Sequence, residues 1–497
     1  MKFDLKNPVL AAVLFIAIIL GVILMDNIRL CYLLGDCVPA FFNTLYDPER
    51  KYMDYTHNFF LTKFQGIRAP EEFEGILPVR ANTGKFDEFM KSQGALYGTE
   101  NCLIDEKDAA GPGGDIGVKV YDFLMTSYPF QARELLNYDS IFNYQVERFD
   151  KSKFSNTVSY PLPHQVTFTF TDNRFIFDFI SRYYYSIKKY DDAVKLYLII
   201  YKMAIFAANG AGGPPELIHC VESAETVRHS LGNPYFWNAL ADGNFDERYY
   251  LNTAGIINKM SADYPKFDTY IEIYFELLKY YASIFFTYIS NERYTQWIFD
   301  FEKPALRKVT CDAIEKLENK VLDFCCKNIE EPQKFIAGVD NLIMGEFNEL
   351  DKKSFFDDIV FTRSSFAKKI AAGCFFTIGE RPFQTCKLAD IGKYFKKFYL
   401  PSVLRTDAAK FYCKLLAYRA KNKSLPGNNE ELAKLKGPVP PADRFNKNTS
   451  GLCVYKFENK VITIYSAGEN GVDDGGSFDK DNFGNSKDLL LLKVKIK

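Results

Sequence analysis

A chain of 497 residues with 62 Lys+Arg against 63 Asp+Glu is long enough for several domains and nearly neutral, which argues against nucleic-acid binding by bulk charge. Hydrophobic residues at 47% and charged residues at 25% match ordinary globular usage, excluding a disordered chain and a multi-span membrane protein. Four histidines (His57, His164, His219 and His229) and 11 scattered cysteines with no Cys-x-x-Cys pair give no support to multi-histidine metal sites, zinc ribbons or thioredoxin chemistry.

The first element is Pro8 to Met25, 18 residues without a charge. As a helix they span roughly 27 Å, close to a bilayer core. Their 12 Val, Leu, Ile and Phe residues favour insertion by roughly 4 to 7 kcal/mol. The run exceeds the apolar core of a cleaved signal peptide and no Ala-x-Ala site follows it, so residues 1–28 are expected to be a transmembrane signal-anchor. Lys2 and Lys6 precede the span and Asp26 follows it, which favours an amino terminus inside and a body outside.

Residues 29–130 form a mixed region that ends in the acidic, Gly-rich stretch Asp105 to Gly117, read as a solvated linker. Its glycines lack the strand-G-x-G-x-x-G-helix context of a dinucleotide loop. Residues 131–403 are expected to be a helical domain. Phe175, Ile176, Phe179, Ile180, Tyr183 and Ile187 recur at helical spacing, and Asp191-Asp192 offers a cap for a second helix running to about Ala208. The pair makes a hairpin of tetratricopeptide-like flavour, yet no 34-residue repeat follows, so irregular helical layers are expected.

A helix Glu216 to Ser230 places His219, Glu222, Thr226 and His229 on one stripe, and Glu216-x-x-His219 has the spacing used by di-metal bundles. Four histidines in the whole chain cannot complete such a set, so a partly exposed polar face is expected. Tyr270 to Ile289 has the length of a span, but Glu272, Glu276 and Lys279 would sit in hydrocarbon, so a buried soluble helix is expected. Glu272 and Glu276 share a face and could form an acid/base pair, with Lys279 as an ordinary ion-pair partner. Further helices are expected around Pro304 to Cys326, Lys334 to Met344 and Ser364 to Phe376, with Pro382 and Pro401 as breaks, and Cys325-Cys326 as core-edge thiols.

Residues 404–497 change character: a helix beginning at Thr406 leads to strands Leu452 to Phe457, Val461 to Tyr465 and Leu489 to Val494, with a hairpin turn at Glu458-Asn459-Lys460. The fold class is thus mainly α, with a transmembrane helix, an irregular helical middle and a small α+β end whose sheet is three-stranded and antiparallel. Between the last two strands, Ser466 to Asp488 carries six carboxylates and only two lysines. Hard oxygen donors with glycines for tight turns suit calcium, though a metal-free acidic hairpin loop satisfies the same residues.

The run "LLAYRAKNKSLP…ELAKL…PPADRFN…VYKFENKVITIYSAGENGVDDGG…DLLLLKV" resembles the C-terminal region of type II secretion major pseudopilins, and more closely the tails of N-terminally anchored envelope proteins of planctomycete-like bacteria. By position, Ser466-x-Gly468-x-Asn470-Gly471 matches the start of the pseudopilin calcium loop, Asp474-Gly475-Gly476 its turn and Asp488-Leu489 its close. The resemblance implies a calcium site built from Ser466, Asn470, Asp474 and Asp488, with Asp473, Asp479 and Asp481 compensating for Asn470, which stands where the pseudopilins have aspartate. It also implies a bacterial inner-membrane protein, single pass, with its body in the periplasm. The amino terminus is not a pilin's, since Asn7 to Ala11 offers neither the Gly-Phe cleavage site nor the glutamate that follows it. A non-catalytic binding or assembly role toward an envelope protein or peptide is the expectation. The alternative is a membrane-tethered hydrolase using Glu272 and Glu276.

Overall fold

The computed structural model describes residues 174–209, 217–275, 314–329, 331–351, 391–445, 451–468 and 488–496, together with Asp473 and a few isolated positions nearer the amino terminus. The predicted anchor, the linker, Lys279, Glu276 and the helix expected at Ser364 to Phe376 lie outside the described residues, apart from Phe15 and Ile16, which are helical and exposed. Among the described residues no helix is long and apolar enough to cross a membrane. These residues are mostly helical, with one small antiparallel sheet.

Helix α1 (Arg174–Ser186) turns Phe177, Ile180, Ser181 and Tyr184 to the core. The stripe predicted from spacing ran toward Ile187, which lies beyond the helix and is 42% exposed. The hairpin itself forms. Lys188 takes φ 62 and Lys189 N–H reaches back to the Tyr184 carbonyl at 2.8 Å, the crossed bonding that ends a helix and reverses the chain. Helix α2 (Tyr190–Ala208) then begins on Lys189 with no side-chain cap. Asp191 sits in its first turn instead, where it accepts from Tyr249 Oη at 2.8 Å and pairs with Lys195. That corrects the capping role expected of Asp191-Asp192: a carboxylate one residue inside the helix interacts with the exposed N–H dipoles without being the cap.

Helix α2 is buried on nearly every side from Ala193 to Ala208. Around it lie α3 (Leu217–Ser230), α4 (Pro234–Asp242) and α5 (Glu247–Ser261). Two of these have the caps their sequences promise. Asn233 accepts from Tyr235 N at 2.9 Å with Pro234 in the first turn, and Asp246 accepts from Tyr249 N at 2.7 Å. Residues 267–275 and 314–328 are helical, followed by α6 (Pro332–Asp351).

The helical run from α7 (Ile391–Tyr394) to α8 (Leu400–Asn422) is continuous through a π-helical segment, Phe395–Tyr399. Pro401 was expected to break the chain here. A proline inside a helix lacks its own N–H and crowds the carbonyl four residues back. Widening the preceding turn, so that Leu400 N–H bonds to the Phe395 carbonyl, lets the helix pass through. An aromatic cluster fills the widened face, with Phe395 at 4.6 Å from Phe335 and 5.0 Å from Phe267 between ring centroids.

Helix α8 therefore starts well before Thr406 and serves two masters. Its Tyr412 ring meets Trp237 edge-on at 5.3 Å, and Tyr412 Oη donates to the Trp237 carbonyl. One residue earlier, Phe411 meets Tyr455 of the sheet edge-on at 5.8 Å. After α9 (Asn429–Lys434) come β1 (Val454–Glu458), β2 (Val461–Ser466) and β3 (Leu489–Lys495), antiparallel neighbours in chain order. Val454 pairs with Tyr465, Val461 with Lys495 and Ser466 with Leu489, with a bulge at Ile464/Tyr465. Asn459 (φ 51) and Lys460 (φ 63) make the turn between β1 and β2 with both central residues left-handed, as a tight hairpin requires. The outer edge of β1 is covered: Phe457 N–H donates to the Gly427 carbonyl at 2.7 Å, and Tyr455 N–H to Asn429 Oδ1 at 3.0 Å. Tyr455, Ile462 and Ile464 point inward and join the same hydrophobic cluster as α2 and α5.

Candidate functional site: the mouth of the acidic loop

The loop between β2 and β3 leaves the sheet at Ser466 and returns at Asp488. Asn470, Asp474, Asp479 and Asp481 lie outside the described residues, which include Ser466, Asp473 and Asp488. Ser466, fully buried, donates from Oγ to Asp443 Oδ1 at 2.7 Å and accepts from Gly468 N–H at 3.1 Å. Its hydroxyl therefore sets the loop's first turn. Gly468 follows at φ +65, where a side chain would strain the backbone. Asp488, 5% exposed, enters β3 directly opposite this turn because Ser466 pairs with Leu489.

Asp473 points elsewhere. It accepts from Tyr465 Oη at 2.7 Å and lies 3.8 Å from Lys456 Nζ, which also sits over the Tyr465 ring. Burial first, and then this carboxylate, push the Tyr465 hydroxyl far above its ordinary range, so it remains a donor. Asp473 is thus anchored across β1 and β2, on the ring side of Tyr465. The residue that organises the mouth is one sequence reasoning missed. Asp443, 5% exposed, accepts from Ser466 Oγ, from Ala467 N at 2.9 Å and from Phe445 N at 3.1 Å. Its signal was present in Pro440-Pro441-Ala442-Asp443: an aspartate after a rigid pair of prolines, bonding the N–H two residues on, makes a turn of its own.

In the helical body the stripe His219, Glu222, Thr226 and His229 is the partly exposed polar face expected only at Glu222 and His229, which are half-buried. His219 and Thr226 are fully buried, and Thr226 accepts from Arg174 Nη1 at 3.2 Å. The stripe faces α1, whose Arg174 also lies 3.9 Å from Glu222. Burial first, and then the Arg174 charge, bring His229 down to about 4, so the imidazole is neutral at ordinary pH. Nearby, Asp178 gathers Arg182 Nη2 at 2.6 Å, Tyr197 Oη at 2.8 Å and Asn233 Nδ2 at 3.0 Å. Burial alone would weaken the Arg182 charge, but Asp178 more than reverses it. The guanidinium also lies 5.0 Å over the Tyr235 ring.

Glu272 is half-buried on the helix of residues 267–275. Of the adjacent thiols, Cys325 is buried and Cys326 exposed. Burial pushes the Cys413 thiol up to about 12 and raises Cys325 and Cys453 as well, so these sulfurs are protonated packing groups. Among the described residues no three His, Cys, Asp or Glu side chains converge as metal ligands. No family model matches the chain, and neither does any curated protein or solved structure.

Proposed function

We propose that this chain is a single-pass envelope protein, held in the bacterial inner membrane by residues 8–25, whose periplasmic body serves a non-catalytic binding or assembly role and ends in a pilin-like, calcium-stabilised loop. In this reading the body is built of irregular helical layers that include tetratricopeptide-like hairpins. The charge-free run at the amino terminus supports the tether. The observation that carries the rest is the mouth of the acidic loop. Asp443 and Ser466 fix where the loop starts, and Asp488 is buried where it ends, so the two ends of a stretch whose sequence carries six carboxylates are held side by side. A cation bound only by the folded loop relieves their repulsion and stabilises the fold by mass action.

The test is thermal melting of the full chain in detergent, with millimolar calcium against chelator. Extracellular calcium modules bind at about 10⁻⁴ to 10⁻³ M, so tenfold excess is worth about 1.4 kcal/mol. The expected result is a higher melting temperature in calcium, abolished by Asp488→Ala. Equal melting of the unsubstituted chain in both conditions overturns the calcium reading. For the topology, protease added to intact spheroplasts is expected to digest the body, and digestion only after permeabilisation overturns the orientation.

A further inference from the structure

Among the described residues, the most exposed large hydrophobic side chain is Val439, at 71%, above the 65% of Phe15 in the predicted membrane span. Leu435, four residues earlier, is 57% exposed. Both stand on the segment Lys434-Leu435-Lys436-Gly437-Pro438-Val439, in which Leu435 is bracketed by two exposed lysines. We propose that this loop is a second membrane contact, docking on anionic lipid with Leu435 and Val439 in the interface and Lys434 and Lys436 at the headgroups.

The loop is held ready in that form. Lys436 takes φ 53, and Gly437 N–H bonds back to the Leu432 carbonyl at 2.8 Å, closing α9. A Cβ on Gly437 would come within 2.8 Å of the Leu432 side chain, so the loop lies tight on the body. Beyond Val439, Pro440 and Pro441 are buried, and Cys453 N–H donates to the Pro441 carbonyl at 2.8 Å. A helix-closing bond at one end and a buried pair of prolines at the other present the apolar pair with little ordering entropy left to lose on docking.

Charge is sorted the same way. The acids of α9, Glu430 and Glu431, lie in its first turn, where Glu431 Oε2 accepts from Gly427 N at 2.6 Å. The lysines lie at the other end, beside the apolar pair. An apolar pair flanked by two lysines complements a surface with hydrocarbon below and negative headgroups above. A solvated loop needs the lysines and gains nothing from the valine. The contact rests on the tethered reading, because the tether keeps the loop near one bilayer and lets a small surface dock.

The experiment uses the full chain reconstituted in vesicles of phosphatidylcholine with or without phosphatidylglycerol, their acyl chains brominated, and a Val439→Trp substitution. The expected result is that the added tryptophan is quenched in phosphatidylglycerol vesicles. The double substitution Lys434→Glu with Lys436→Glu then lowers the ratio of docked to undocked loop by at least roughly thirtyfold. Flotation of the chain with the vesicles reads the tether separately. A chain that floats while residue 439 stays unquenched overturns the lipid contact and leaves the tether standing. A chain that does not float contradicts the tether and with it this inference. Quenching that ignores both headgroup and lysines overturns the headgroup recognition. Protection of residue 439 in native membranes but not in lipid vesicles overturns it in favour of a protein occupant.

Discussion

Asp178 in the helical body and Asp443 at the mouth of the acidic loop are both 5% exposed, yet they hold their regions by different means. Asp178 collects side chains from α1, from α2 and from the cap of α4, and its charge is answered by the Arg182 guanidinium. Asp443 collects one hydroxyl and two backbone N–H groups. The difference follows from the elements. Helices use up their backbone donors internally and can be tied together only through side chains, whereas a loop leaves N–H groups free for a carboxylate to gather. A buried carboxylate paired with a half-buried arginine is therefore brittle, and one paired with loop amides is a local organiser.

The strongest way to break the comparison is Asp178→Ala. It leaves the half-buried Arg182 beside Tyr235 without its partner carboxylate and strands Tyr197 and Asn233, and the expected loss is on the order of 3 kcal/mol in urea unfolding. A loss below about 1 kcal/mol would mean that the ion pair is incidental. The next effect is on pH dependence. His229 falls to about 4 in the fold from 6.5 in the unfolded chain, through burial and then Arg174. Above 6.5 both states are neutral and the residue contributes no slope. As pH falls from 6.5 toward 4 the unfolded state takes up the extra proton, so stability declines by up to about 3 kcal/mol and then levels off. His229→Gln is expected to flatten that part of the profile, measured as urea midpoint against pH.

Asp443→Ala is expected to cost about 2 kcal/mol, smaller because water can reach amides released in a loop. Hydrogen exchange at Ala467 and Gly468 should accelerate with it, while α2 is unchanged relative to the global opening. The smallest effect sharpens the sheet side. Lys460 holds φ 63 in the β1–β2 turn, where glycine carries no strain, so Lys460→Gly is expected to stabilise by about 0.5–1 kcal/mol in the same urea assay.

The three strands and their turn were legible because alternation and a polar triplet are local signals, and the observed bounds differ by two residues or fewer. The α1–α2 hairpin was legible for the same reason. Its facing was not: Ile187 looks like part of the apolar stripe, but the helix ends first, at a lysine taking a conformation usually left to glycine. The continuity of α7 and α8 through Pro401 was hidden because a π-helical turn has no sequence signature. The burial of His219 and Thr226 depends on α1 lying across them, a tertiary fact that helical spacing cannot supply. At the loop mouth, the resemblance pointed to Ser466 and Asp488 but passed over Asp443, whose two partners in the loop lie more than twenty residues away in sequence.

The account's central claim is that the helical body and the sheet that carries the acidic loop form one cooperative unit, joined by α8 through Tyr412 on one side and Phe411 on the other. Native-state hydrogen exchange on the full chain tests it directly, comparing the slowest amides of α2 with those of β2. The prediction is one shared opening free energy, equal within about 1 kcal/mol in the two elements. Amides of β2 that open several kcal/mol more easily than those of α2 would contradict it, and would make the tail a separate body hung on the helices.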